Sequence, residues 1–170
     1  MAEQTTRPAP SRRKRARPPA EPPPEPAVLK ADTSLPRGRT PPLSEKQEHD
    51  LLHQGVGLFN ELRYWHAHEA WETLWRAAPD RERDFYQGLI QVAAGLLHLK
   101  RRNARGARNK LAEGLAKLKR FEPEHRGIVI TELVGRCELI LEDLNAGLLP
   151  YLIPPVIRFA EVGHPHELDQ

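Results

Sequence analysis

The chain holds a single cysteine, Cys137. That excludes an intramolecular disulfide and any zinc site built on cysteine pairs. Its neighbours Val134, Leu139 and Ile140 mark it as a small core hydrophobe. No uninterrupted apolar run approaches the ~18 residues that a membrane-spanning helix needs. The N-terminus also lacks the apolar core of a signal peptide. The expectation is a soluble cytoplasmic protein with no membrane role. A glycine-rich phosphate loop and a nucleophile elbow are both missing. Hydroxyl residues are few in the helical part, which leaves serine-based nucleophilic catalysis without its parts. No segment alternates with period two for long enough to argue a strand.

Aromatic residues are absent from positions 1–42, where eleven of the seventeen prolines lie. With so little to bury, this segment cannot offset its ordering entropy. It is expected to be a disordered, Pro/Arg-rich N-terminal arm. The arm carries nine Lys/Arg against four Asp/Glu, whereas residues 43–170 carry 17 against 19. The formal net charge of +3 therefore belongs to the arm, and the remainder is close to neutral.

What the chain does contain is helical periodicity. Ser44 with Gln47 forms a capping box that opens a helix ending near Leu62. A second helix covers about 65–77, before Pro79, and Asp80 is placed to cap a third over about 81–102. Asn103 and Gly106 mark a turn into a fourth helix, with Ala107, Leu111, Gly114, Leu115 and Leu118 on one side. A fifth runs over about 128–144, and Gly147 closes it. This predicts an all-α, five-helix bundle spanning residues 43–160. Its end, PYLIPPVIRF (150–159), is apolar but broken by three prolines. It is expected to be an extended C-terminal strap, with a partner-docking peptide as the alternative, followed by a tail at 161–170.

The unusual chemistry lies in YWHAHEAWETLW, residues 64–75, which holds all three tryptophans. On a helical wheel, Tyr64, Ala67, Trp71 and Trp75 form the buried face, and His68 and Glu72 border it. Glu69, Arg76 and His66 fall further out. The third helix is apolar over most of its circumference, yet Asp84, Gln87, Gln91 and His98 form a polar stripe beside Ala94 and Gly95. A short connection makes the two helices antiparallel neighbours, so His68 and Glu72 are expected to face Gln87, Gln91 and His98. Buried polar groups need partners, and these would satisfy one another. A solvated stripe is the plainer alternative. A divalent metal on His68, Glu72 and His98 is another, since two histidines and a carboxylate suit zinc or iron.

Residues 100–120 (KRRNARGARNKLAEGLAKLKR) hold nine Lys/Arg and one Glu. With Arg12, Arg13, Lys14 and Arg15 of the arm, Arg101, Arg105 and Arg108 form a candidate nucleic-acid contact.

FNELRYWHAHEAWETLWR, FYQGLIQVAAGLLH and RNARGARNKL together resemble the bacterial and archaeal family termed domain of unknown function 309. Phe59, Asn60, Tyr64, Ala67, His68, Glu69, Glu72 and Trp75 carry its first element. Gln87, Gly88, Ile90, Gln91, Ala93, Ala94 and His98 carry the second, and Asn103, Gly106 and Ala107 the third. The resemblance covers about 45–120 and implies a small all-helical protein without an assigned activity. The candidate site then comprises Asn60, Tyr64, His68, Glu69, Glu72, Trp75, Gln87, Gln91 and His98. The leading expectation is a binding or scaffold module with a polar site between helices two and three. A metal-dependent hydrolase and a nucleic-acid-associated protein are the alternatives. Whether the chain is an enzyme stays open, as does its partner: another protein, nucleic acid, or a second copy in a homodimer.

Overall fold

The computed structural model describes residues 39–150 and 153–161. Most of the expected arm, including Arg12, Arg13, Lys14 and Arg15, lies outside the described residues, as does the tail from 162 onward. Among the described residues there are five α-helices: α1 Glu45–Asn60, α2 Tyr64–Ala77, α3 Asp80–Lys100, α4 Ala104–Leu118 and α5 Ile130–Asn145. No helix among them is long and apolar enough to cross a membrane.

Local sequence explains where these helices begin. Ser44 caps α1, with both halves of the capping box formed through Gln47. Asn103 caps α4 by accepting from the Gly106 amide at 2.9 Å. Asp80 is not the cap of α3. Pro79 takes that position and Asp80 is the first helical residue, where its charge suits the positive end of the helix. Asp80 pairs with Arg39, and the Thr40 amide donates to the Arg76 carbonyl at 3.1 Å. Residues 39 and 40, counted with the arm on composition, thus lie against α2 and α3.

The core gathers around α3, whose Phe85, Leu89, Val92 and Leu96 are buried. Phe59 from α1, Trp71 from α2, Leu111 and Leu118 from α4, and Leu133 from α5 join them. Small residues on α3 admit α4 closely. A Cβ at Gly95 would sit 2.8 Å from Leu111 Cγ, and one at Gly114 would sit 2.9 Å from the Gly88 carbonyl oxygen. The close approach expected beside Gly95 is therefore made by α4. Cys137 is buried and free, its thiol pushed up to about 12 by burial, as befits a core residue.

The fold also contains a small sheet, which the sequence periodicity does not reveal. β1, Glu124–His125, pairs antiparallel with β2, Ile128–Val129. The turn between them places Arg126 at φ 51° and Gly127 at φ 76°. Two left-handed residues are what a tight two-residue hairpin requires. Strands this short show no alternation to detect. The described part of the strap, residues 153–161, forms no helix and docks on this hairpin. Phe159 bridges Ile128, the Val129 amide donates to the Arg158 carbonyl at 2.9 Å, and the Ala160 amide donates to Gly127 at 2.7 Å.

Candidate functional site

The α2 and α3 polar residues largely find partners elsewhere than in each other. His68 Nδ1 lies 4.0 Å from Glu72 Oε2, while Glu72 accepts from Arg76 at 2.7 Å. The His68 ring stacks on Trp65 at 5.4 Å and an interplanar angle of 4°. Gln91 donates to Glu113 on α4 at 2.9 Å, and His98 Nδ1 meets the Asn103 amide nitrogen at 3.2 Å. Among the described residues, no hydrogen bond joins His68 or Glu72 to Gln87, Gln91 or His98. No group of three His, Cys, Asp or Glu side chains there is placed to hold a metal ion. His68, Glu72 and His98 therefore do not form one metal centre. The physical reason is the small-residue seam of α3, which turns the end of its polar stripe toward α4. Among the described residues four buried side-chain atoms have no partner: His68 Nδ1 and Trp71 Nε1 on α2, and Arg83 Nη1 and Gln91 Oε1 on α3.

The other motif residues serve the frame. Tyr64 is buried edge-on to Phe59 at 5.2 Å, and the Arg83 guanidinium lies 4.1 Å over the Trp75 ring. Glu69 is exposed and Gln87 half-buried. Asn60 clamps the strap: its amide donates to the Ile157 carbonyl and its oxygen accepts from the Ile157 amide, both at 2.9 Å. A side chain thus takes the place of a strand partner. Asn103 donates to His98 Nδ1 while its oxygen caps Gly106. A Cβ at Gly106 would lie 2.8 Å from His98 Nδ1. Glycine at 106 and the His98–Asn103 contact are one construction, a lock on the α3–α4 turn.

Two charged clusters mark the ends of α3. At its start, Glu82 is the buried charged residue of the described core, 8 % exposed. The hairpin supplies its partners: His125 Nε2 at 2.9 Å and Arg126 Nε at 3.1 Å. Arg126 Nη1 also reaches Glu48 of α1 at 3.3 Å. The His125 ring sits between Phe85 and Phe121, with centroids at 4.6 and 4.8 Å. Burial pushes the Glu82 carboxyl up, but hydrogen bonds from His125 and Arg126 and their charges outweigh it and hold it below the usual range. Periodicity marks Glu82 only as a first-turn acid, because its partners arrive from a hairpin more than forty residues away.

At the other end, Arg101 and Arg102 close α3, with Arg102 at φ 59°, and Arg105 and Arg108 stand on the first turns of α4. All four are exposed and have no ion pair among the described residues. Their basic neighbours differ: Lys110 pairs with Glu113 at 2.8 Å, Arg120 with Asp84 at 2.5 Å, and Lys119 with Glu138. The first turn of α4 contains no acidic residue. Helix N-termini carry a partial positive charge that favours acids, so arginines there are locally unfavourable until an anion joins them.

These features define a small helical bundle with one closed charge cluster and one open basic turn. Residues 52–109 match the model of the family described as a domain of unknown function (DUF309), which bears out the resemblance in the motifs. The match takes in Asn60, His68, Glu82, Gln91, His98 and the arginine turn. It stops short of the hairpin and the strap. No curated protein matches the chain.

Proposed function

We propose that the protein is a binding module whose contact surface is the arginine turn between α3 and α4, and that it takes the phosphate backbone of a nucleic acid. The observation that carries this reading is the group Arg101, Arg102, Arg105 and Arg108, exposed and without ion pairs among the described residues, at the positive end of α4. Guanidinium groups pair well with phosphate oxygens, and a helix N-terminus adds to their field. With the phosphate backbone as the target, the expected binding is salt-sensitive and tolerant of sequence. The test is fluorescence anisotropy of the full chain with duplex DNA and with single-stranded RNA across a salt series. Replacing Arg101, Arg102, Arg105 and Arg108 by alanine should flatten the slope of log K against log salt by ~0.9 for each duplex phosphate that is no longer neutralised. Binding that is absent at low salt, or a slope unchanged by the four substitutions, removes the reading. A residual slope that vanishes on neutralising Arg12, Arg13, Lys14 and Arg15 assigns the remainder to the basic arm.

A second reading rests on α2. Trp65 is 46 % exposed and stacks on His68, whose Nδ1 is buried without a partner. Exposed tryptophans beside unsatisfied polar groups are favoured protein-contact anchors. A photo-crosslinker at position 66 tests it. Crosslinks that vanish on Trp65→Ala and persist on Leu139→Ala support a protein partner, whereas crosslinks indifferent to Trp65→Ala exclude this face.

A further inference from the structure

An exposed indole stands at the same end of the bundle as the arginine turn. Arg83 lies over Trp75 near the end of α2, and Lys100 Nζ donates to the Leu62 carbonyl at 3.4 Å just before the start of α2. The two helices therefore run antiparallel, and the first turn of α2 sits beside the last turn of α3. Trp65 is the second residue of α2, while Arg101 directly follows Lys100. Of the tryptophans, Trp71 is buried and Trp75 is covered by Arg83, whereas Trp65 is 46 % exposed. One face of the Trp65 ring is stacked nearly parallel on His68, which holds it in place. Its outer face has no aromatic or cationic partner among the described residues.

A single exposed apolar residue is ordinary on a protein surface. Its meaning here comes from Arg101, Arg102, Arg105 and Arg108 at the same end, exposed and without ion pairs among the described residues. Cations beside a free aromatic face are the two parts of a single-strand binding surface: the guanidinium groups take phosphates and the π-face takes a base. Only unpaired nucleotides use both parts. In a duplex the bases already stack on one another, so the indole gains a base only where pairs are broken. The acids near this face are Glu61, paired with Arg63 at 3.5 Å, and Glu69, one turn along α2. Glu69 repels a phosphate placed over the indole, which leaves that position to a neutral base.

We propose that this end of the bundle binds an unpaired segment of nucleic acid, with phosphates on the arginine turn and a base stacked on the outer face of Trp65. This binding mode rests on the phosphate reading of the arginine turn and adds to it a preference for single strands. The experiment is fluorescence anisotropy of the full chain over a salt series with three labelled probes: oligothymidylate, an abasic oligomer of the same length, and a blunt duplex. Oligothymidylate should bind about tenfold more tightly than the abasic oligomer, with a similar salt slope. Trp65→Ala should remove that tenfold advantage and leave the slope unchanged, because an uncharged ring releases no counterions. Trp65→Phe keeps a π-face and should keep most of the advantage. Abasic and duplex binding should be indifferent to both substitutions. The proposal is overturned if the abasic oligomer binds as tightly as oligothymidylate, or if Trp65→Ala weakens the duplex as much as the single strand. It is also overturned if Trp65→Ala leaves single-strand affinity unchanged, including where the same substitution abolishes crosslinks to a protein. In each of these cases, a slope that still flattens on replacing the four arginines keeps the phosphate reading. Failure of all three probes to bind at low salt removes both.

Discussion

The two ends of α3 handle charge in opposite ways. Near its start, Glu82 is buried and met by His125 and Arg126 from the hairpin, with Glu48 of α1 sharing the same guanidinium. Past its end, Arg101, Arg102, Arg105 and Arg108 stand in solvent with no acidic partner among the described residues. The first arrangement has consumed its charges within the fold, and its main product is position: it seats the hairpin on which the strap docks. The second leaves its charges unspent. A closed cluster points to stability and an open one to an external partner, because a buried charge is tolerated only when paired.

The largest expected effect falls on the closed end. Glu82→Ala should cost about 3–5 kcal/mol, the range for removing one partner of a buried ion pair, read by urea denaturation. A cost below ~1 kcal/mol would show that the cluster is as solvent-screened as an ordinary surface pair. The same carboxylate sets a pH dependence. Its folded pKa lies below its unfolded value, so its contribution is fully present above the usual carboxylate range. It is lost as pH falls through the lower folded value. Glu82→Gln should flatten the acid limb of a stability profile relative to the unmodified chain.

Between the two ends, the α3–α4 seam depends on shape rather than charge. Gly114→Ala should cost ~1–3 kcal/mol, since its Cβ would press on backbone atoms of α3 that cannot step aside. A neutral result would mean that α4 slides readily and that the arginine turn is not rigidly presented. Asn60→Ala should cost about 1 kcal/mol and speed hydrogen exchange at the Ile157 amide, which loses its acceptor. Unchanged exchange there would place the strap's anchorage entirely on the hairpin.

The smallest stability effect belongs to the open end. Alanine at Arg101, Arg102, Arg105 or Arg108 should change stability by about 0.5 kcal/mol or less. Arg105→Ala should be slightly stabilising, because it removes a positive charge from the positive end of α4. A loss above ~1 kcal/mol at any of them would reveal a structural role and weaken the contrast with Glu82.

The sequence by itself determined the elements that local rules govern. Ser44 and Gln47 specify the start of α1, Asn103 the turn into α4, and the apolar spacing specifies the five helices and the central place of α3. The prolines and apolar residues of the strap predicted an extended segment on the bundle, and Gly95 predicted a close helix approach. The tertiary structure decided which neighbour each polar face meets. Gln91 and His98 pair with α4 and its turn instead of α2, because the small-residue seam of α3 accepts α4. It also decided that Asn60 serves the strap and that Glu82 meets His125 and Arg126 across a long stretch of chain. Periodicity states which side of a helix is apolar. It does not state which element covers that side, since burial energy is nearly indifferent to the covering partner and only the packed chain makes the choice.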